Sequence, residues 1–379
     1  MGDVMLDKLA NKKILVEFLG KNGAGTVFTL EIVNSLKNNG MDVWVILSDC
    51  ILNRDKWEEI NDSRVHVKYI HTGNKKTIMN ATLSFLINRS KLFDDIKNIT
   101  FDYALRTFPH PWMEFIERKL NINRVFYILH DPIPHTGTEL FRKIISKRNV
   151  HTSDDIIVLS RKFMNVVSEI YKVPPANIHY MRHGLLSVQE SNEVSEVQRE
   201  QLEKFDIVFV FFGRIDEYKG LHILSAAYKK VKNQTDSNIA LVVAGSGDFT
   251  DYKDEYNQLK DVFIYNKYIN DKEIIDIFTL NNAVIVLPYL DATQSGVTAI
   301  AAEFIRPIIA SDSGALREQL MGGNVGIFCT PGDVNDLAES MNRLITNNTV
   351  FEQEKEKMKN YKNYLGWDDI IKDFFSDLE

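Results

Sequence analysis

Apolar runs of about six residues recur along the chain, each followed by a stretch whose apolar positions fall at helical spacing. In the first half the runs are KILVEFL, DVWVILS, VHVKYI, DYALRTF, RVFYILH, DIIVLS and IHYMRHG, with helices expected from Thr26, near 77–98 and over 112–120. In the second half they are IVFVFFG, IALVVAG, VFIYNKY, AVIVLP, PIIAS and GIFCT, interleaved with helical patterns that include 271–280, 297–304 and 333–346. Alternation of this kind predicts βαβ units and parallel sheets. The expected fold class is α/β: two Rossmann-like, doubly wound parallel-sheet domains of similar size with a central cleft.

Between the halves, SVQESNEVSEVQREQLEKF (187–205) has no strand pattern, many charges and no aromatic before Phe205. It reads as a linker. The expected boundaries are therefore 1–188, a linker over 189–205, and a second domain over 206–360. The chain closes with YLGWDDIIKDFFSDL, an amphipathic helix after a glycine.

Composition narrows the class. The chain has 379 residues, 44% hydrophobic and 26% charged, which is ordinary for a soluble protein of two or three domains. No apolar run reaches membrane-spanning length, and MGDVMLDKLANKK lacks a signal-peptide core. Cys50 and Cys329 are too few for a disulfide framework. The expected location is cytoplasmic. The net charge of −7 is unevenly divided: residues 1–188 hold 26 Lys+Arg against 20 Asp+Glu, and residues 189–379 hold 19 against 32. A basic half suits an anionic lipid surface, although scattered solvated charge explains it equally well. SFLINRSKLFDDIKNI, mixing apolar and cationic residues, is the stretch that best fits such docking.

Four stretches could carry chemistry. In FFGRIDEYKG (211–220), Arg214 and Lys219 follow a buried strand, where the ligands of parallel sheets gather. Two cations there suggest an anion. In LPYLDATQSGVTAIAAEF, a polar loop leads into a helix opening near Gly296, an arrangement that cradles phosphates. Arginine for bidentate contact and lysine for point charge suit a diphosphate. LGKNGAGT (19–26) has glycines at 20, 23 and 25 before a helix, which serves a tight turn as well as a phosphate contact. It is neither G-x-G-x-x-G nor a Walker sequence, although Asp49 ends the second strand as a ribose acid would. ILHDPIPHTG (128–137) places His130 at a strand's carboxyl end beside a loop stiffened by prolines; a lone histidine is more often structural, but that position favours function. In IYNKYINDKEIIDIF, Asn270-Asp271 and Glu273 read as a capped helix start.

Taken together, these stretches resemble the retaining GT-B glycosyltransferases, family four in particular. GRIDEYKGLHIL looks like the diphosphate motif, ATQSGVTAIAAEFIRPIIASDSGALREQL the donor loop and helix, YNKYINDKEI the base-binding strand and turn, and HDPIPHTG the histidine loop of the acceptor domain. The resemblance covers nearly the whole chain and is strongest over 205–345. It implies a nucleotide-diphosphate-sugar co-substrate held mainly by the second domain. No His/Cys/Asp/Glu cluster has ligand spacing and no D-x-D stands in a donor loop, so no metal and no other cofactor is expected. Arg214 and Lys219 would hold the diphosphate with the amides of Ser295, Gly296 and Val297, beside Thr293 and Gln294. Tyr268 and Ile269 would line the base, Gly23 would approach the phosphate, and His130 would sit near the transferred sugar. The closing helix, 361–379, would pack on the first domain.

One departure stands out. Many members carry two glutamates eight residues apart on the donor loop and helix; registered on PIIAS, those positions are Ala292 and Ile300. Asp291 and Glu303 are the acids nearby and become the candidate ribose or sugar contacts. The expected function is retaining transfer of a sugar to a glycan or lipid-linked acceptor in cell-surface polysaccharide synthesis, with the protein on the inner face of the membrane. No nucleic acid is implied. Two rivals share the architecture. A sugar-nucleotide 2-epimerase needs cleft carboxylates and histidines, of which one clear histidine is present. A non-catalytic two-domain binding protein would ordinarily be exported. A nicotinamide dehydrogenase, a third reading, lacks its glycine fingerprint.

Overall fold

A strand buried on both faces has no polar side to present, which is why the apolar runs here are nearly continuous instead of alternating. The computed structural model describes residues 9–74, 76–133, 140–188 and 193–378. The chain divides into two compact units, Met1–Gly184 with Gly366–Glu379, and Leu185–Leu365.

The strands of the first unit are β1 (Lys13–Phe18), β2 (Asp42–Ser48), β3 (Val65–Ile70), β4 (Thr100–Phe101), β5 (Tyr103–Arg106), β6 (Asn121–Ile122), β7 (Val125–Leu129), β8 (Asp155–Val158) and β9 (Ile178–Tyr180). Seven form one parallel sheet ordered β3-β2-β1-β5-β7-β8-β9, and β4 pairs with β6 separately. Strand order reverses between β1 and β5, so the carboxyl ends of those two strands border the crevice where ligands of doubly wound sheets bind. The helix Ala24–Asn38 starts there, with Gly23 at φ 81° as its N-cap.

The second unit contains β10 (Ile207–Phe212), β11 (Ile239–Ala244), β12 (Val262–Tyr265), β13 (Ala283–Leu287), β14 (Ile308–Ser311) and β15 (Ile327–Cys329). They form one parallel sheet ordered β12-β11-β10-β13-β14-β15, with its reversal between β10 and β13. Every residue of β11 and β13 is buried. The α/β, doubly wound architecture expected from the pattern is the one observed.

The closing helix, Trp367–Asp377, belongs to the first unit. Trp367 meets Phe28 edge-on at 5.2 Å, and Phe374 and Phe375 pack on Phe126 and Tyr103. The segment expected to be a linker differs from the reading. Its described part, 193–205, packs on the second unit: the Glu196 amide donates to Glu273, the Gln198 amide to the Tyr265 hydroxyl, and Arg199 to the Asp276 carbonyl. Leu202 is fully buried. Its charges resembled a solvated tether because their partners lie some seventy residues away in the chain. Several helices, among them Leu140–His151, Met164–Tyr171 and Asn348–Tyr364, fell outside the sequence reading.

Beneath the first unit's reversal lies a buried ionic cluster. Arg106, the last residue of β5, is paired with Glu117 and also donates to the Asn149 carbonyl and to the hydroxyl and carbonyl of Thr152. Its register partner on β1 is Glu17, fully buried, with no amide or cation donating to its carboxyl and the Glu117 carboxylate within hydrogen-bonding reach. Burial first, and then the charge of Glu117, push the Glu17 carboxyl well above its ordinary range, against the pull of Arg106. The folded state therefore holds a proton that the unfolded chain releases above pH of about 4.3. The stabilisation from this proton is complete below that value and lost as pH rises through the higher folded pKa. Glu17→Gln removes this dependence. Thermal melts at pH 5 and pH 8 should show the variant gaining on the parent chain at pH 8; a gap that does not change with pH would mean that Glu17 does not titrate on folding.

Candidate active site

At the end of β10, Gly213 adopts φ 130°, and Arg214 follows with its side chain mostly exposed. Asp216 pairs with the Arg214 guanidinium; burial draws its pKa down, and the charge and hydrogen bond of Asp216 outweigh that and raise it. Lys219 is different. It is buried, with its ammonium 3.6 Å from the centre of the Tyr289 ring and 4.9 Å from that of Tyr218. It makes no ion pair among the described residues. Aromatic faces attract a cation without neutralising it, so the charge of Lys219 remains available to an anion.

Two loops are joined here. Gly220 has φ 69°, and a Cβ on it would meet the Pro288 carbonyl oxygen at 2.0 Å. The Leu290 amide donates to the Tyr218 carbonyl at 2.8 Å. The loop leaving β13 is thus held against the loop leaving β10, which sets Arg214 and Lys219 beside the start of the helix Gly296–Glu303. A Cβ on Gly213 would lie 3.8 Å from Val297.

That helix start departs from the expectation in one respect. The Ser295 amide is occupied by Gln319, whose Oε1 accepts from it at 3.0 Å while Nε2 donates to the Ser295 carbonyl at 2.9 Å. The hydroxyl of Ser295 faces that of Tyr289 at 3.2 Å, and the helix has no side-chain cap. Its open first-turn donors are the amides of Gly296 and Val297. Gln319 was not singled out from the sequence, because its partner lies 24 positions away and no local pattern marks it.

The remaining candidates are distributed as follows. Thr293 is buried, Gln294 half-buried and Asp291 exposed, all in the loop after β13. Ala292, at the position of one missing glutamate, is buried, and its carbonyl accepts from the Ala315 amide. Ile300 is half-buried. Glu303, offered as a sugar or ribose contact, is turned to other work: it ends the helix and pairs with Lys362 at 3.1 Å. The far end of an eight-residue helix lies roughly 10 Å from the amides at its start. Tyr268 is an exposed ring beyond β12, whereas the Ile269 side chain is buried and offers only backbone. Asn270 and Glu273 form the expected cap, each side chain accepting from the other's amide. A cavity of about 430 Å³ lies beside Arg214, lined by Asp216, Ser246, Gly247, Asp248 and Tyr252 from the loops after β10 and β11.

In the first unit, Gly23 is exposed and nothing lies within 4 Å of where a Cβ would stand. Gly25, in contrast, serves packing: its Cβ position is 3.0 Å from the Phe18 and Phe108 rings. His130 stacks on Phe108 at 4.0 Å and meets Phe28 edge-on. Its Nε2 lies 2.9 Å from the Thr107 carbonyl, so that nitrogen carries the proton and donates. Burial pushes its pKa down to about 4. His183, on the other side of Phe28, is likewise lowered by burial to about 4. Pro134, His135, Thr136 and Gly137 of the histidine loop lie outside the described residues.

Gln319→Leu should release the Ser295 amide and loosen the loop, so that nucleotide-diphosphate affinity falls about tenfold while the melting temperature changes little. Gln319→Glu sets a carboxylate against the Ser295 carbonyl, and its binding should recover as pH falls far enough to protonate the new side chain. Calorimetric titration with UDP and GDP at pH 5 and 8 measures both effects; unchanged affinity in both variants would make Gln319 a bystander.

Comparison with known proteins agrees with this architecture. A model of the family described as "Glycosyl transferases group 1" matches residues 194–364. The O-antigen chain mannosyltransferase C of Escherichia coli is 24% identical over 281 residues, 72% of this chain and 73% of that protein. Among solved structures, sucrose-phosphate synthase from Thermosynechococcus elongatus superposes with TM-score 0.70 at 15% identity, over 97% of this chain and 99% of that one. HepE from Anabaena, in complex with UDP and glucose, superposes with TM-score 0.68 at 14% identity, over 97% and 100%. The parallel sheets, the joined loops at the β10–β13 reversal and the likeness to these solved structures lead to one conclusion: the chain has the GT-B fold, and its residues 194–364 match the glycosyl transferases group 1.

Proposed function

We propose that the chain is a retaining hexosyltransferase that moves a sugar from a nucleotide-diphosphate-sugar to a glycan or lipid-linked acceptor during cell-surface polysaccharide assembly, at the cytoplasmic face of a membrane. The observation that carries this reading is the buried, ring-held ammonium of Lys219 beside Arg214 and the open amides of Gly296 and Val297. Such a set of fixed donors suits two phosphate groups. The similarity to an O-antigen mannosyltransferase supports the polysaccharide role, and the UDP and glucose bound to HepE support a nucleotide-sugar donor.

In this mechanism the sugar gains positive charge as its bond to the diphosphate breaks, and negative charge grows on the departing oxygens. Arg214, Lys219 and the two amides meet that charge and stabilise the transition state more than the ground state. The charge of the leaving group is met by protein donors without a divalent ion. The departing phosphate takes the acceptor proton, which fits the alanine and isoleucine at the glutamate positions. His130 is neutral above pH of about 5 and acts by placing the sugar, not by exchanging protons.

Arg214→Ala and Lys219→Ala should each lower turnover by about 10²–10³, and His130→Ala by less. Turnover should persist in excess EDTA, and the product should keep the anomeric configuration of the donor, read by NMR across a panel of UDP-, GDP- and ADP-sugars. Inverted product, or near-normal turnover in both cation variants, would refute the reading. The histidine generates its own test. The parent chain should show no inflection between pH 6 and 8 that disappears in His130→Ala, since a group lowered to about 4 does not titrate there.

A further inference from the structure

The helix Ile78–Leu92 is apolar on two opposite faces. One face is accounted for: Ala81 and Phe85 are buried, and Phe85 stacks on Trp112 at 4.3 Å. The other is not. Met79, Leu83, Leu86 and Ile87, spaced i, i+4, i+7 and i+8, form a single stripe, and they are 82%, 60%, 38% and 71% exposed. Arg89 and Lys91 in the last turn fall on either side of this stripe, and no Asp or Glu occurs between Asn74 and Phe93. A second basic helix, Leu140–His151, adjoins it. Arg89 and Arg148 lie over the same Phe115 ring, at 5.6 and 5.2 Å. This second helix also carries no acid and exposes Ile144 between Lys143 and Lys147.

We infer that this face of the first unit docks on an anionic lipid bilayer, with Met79, Leu83, Leu86, Ile87 and Ile144 entering the acyl boundary and the surrounding lysines and arginines on the headgroups. An apolar stripe flanked by cations is what the interface of such a membrane selects. Arg148 is paired with Glu114, and the other cations named lie on helices that carry no acid of their own; a protein partner of equal apolar area would not require such cations on both flanks. The inference deepens the membrane part of the proposed function but does not depend on the donor chemistry.

Co-sedimentation with vesicles of phosphatidylcholine alone, or mixed with phosphatidylglycerol, tests it on the full chain. Binding is expected to the anionic vesicles only, weakened in about 0.5 M salt. Met79→Ser/Leu83→Ser/Ile87→Ser should bind about a hundredfold more weakly or worse, and Lys91→Glu/Lys147→Glu should also lose affinity. Both variants change exposed positions, so melting temperature and UDP affinity should match the parent. Binding to neither vesicle, or undiminished binding by the triple variant, overturns the inference. Self-association in sedimentation velocity that the triple variant abolishes, without vesicle binding, assigns the face to a second copy and also overturns it. Vesicle binding without UDP binding leaves this inference standing and removes the donor reading instead.

Discussion

The candidate site rests on a single backbone constraint, the seating of Gly220 against the Pro288 carbonyl. At φ 69° with a carbonyl oxygen 2.0 Å from the Cβ position, only glycine fits without displacing one of the two loops. With the loops joined, the Tyr218 carbonyl receives the Leu290 amide, and the rings of Tyr218 and Tyr289 lie on the Lys219 ammonium. The start of the helix Gly296–Glu303 is fixed by the same loop. The cationic and backbone donors therefore share one origin.

How each charge is held determines what it can do. An ammonium buried against a carboxylate would be neutralised locally and offer little to a ligand. Buried against tyrosine rings it is desolvated yet uncompensated, which strengthens its interaction with an arriving anion in a medium of low dielectric. Arg106 in the first unit shows the opposite arrangement. It is saturated by Glu117 and by carbonyl and hydroxyl oxygens, so it anchors the strand end and its surroundings. Two buried cations at the reversal points of two similar sheets thus serve different ends, and their partners account for the difference.

The aromatic cluster around Phe28 has a comparable effect on histidine. Stacking and burial keep His130 uncharged, and the Thr107 carbonyl fixes which nitrogen bears the proton. A neutral imidazole of fixed orientation is a directional hydrogen-bonding group, suited to a sugar hydroxyl. The helix Ile78–Leu92 obeys a different constraint. Its inner face completes a core around Trp112, and its outer face exposes four large apolar side chains beside cations. Packing within the unit explains only the inner face.

Local chemistry made much of this legible in the sequence. Strands covered on both faces read as apolar runs, the Asn270–Glu273 cap lies within four residues, and cations after Phe212 stand where a parallel sheet gathers its ligands. The family resemblance rested on the same short stretches. What the sequence could not determine depends on partners distant in the chain. Gln319 takes the Ser295 amide from 24 residues away, and Glu303 is turned to Lys362 from 59 away. The charged segment 193–205 packs on the second unit because Glu273 and Tyr265 receive its amides. Periodicity registers burial and local hydrogen bonding, and so it fixed the sheets and the strand ends. Which amides stay open, and which acids are already paired, is decided only when loops far apart in the chain are folded together.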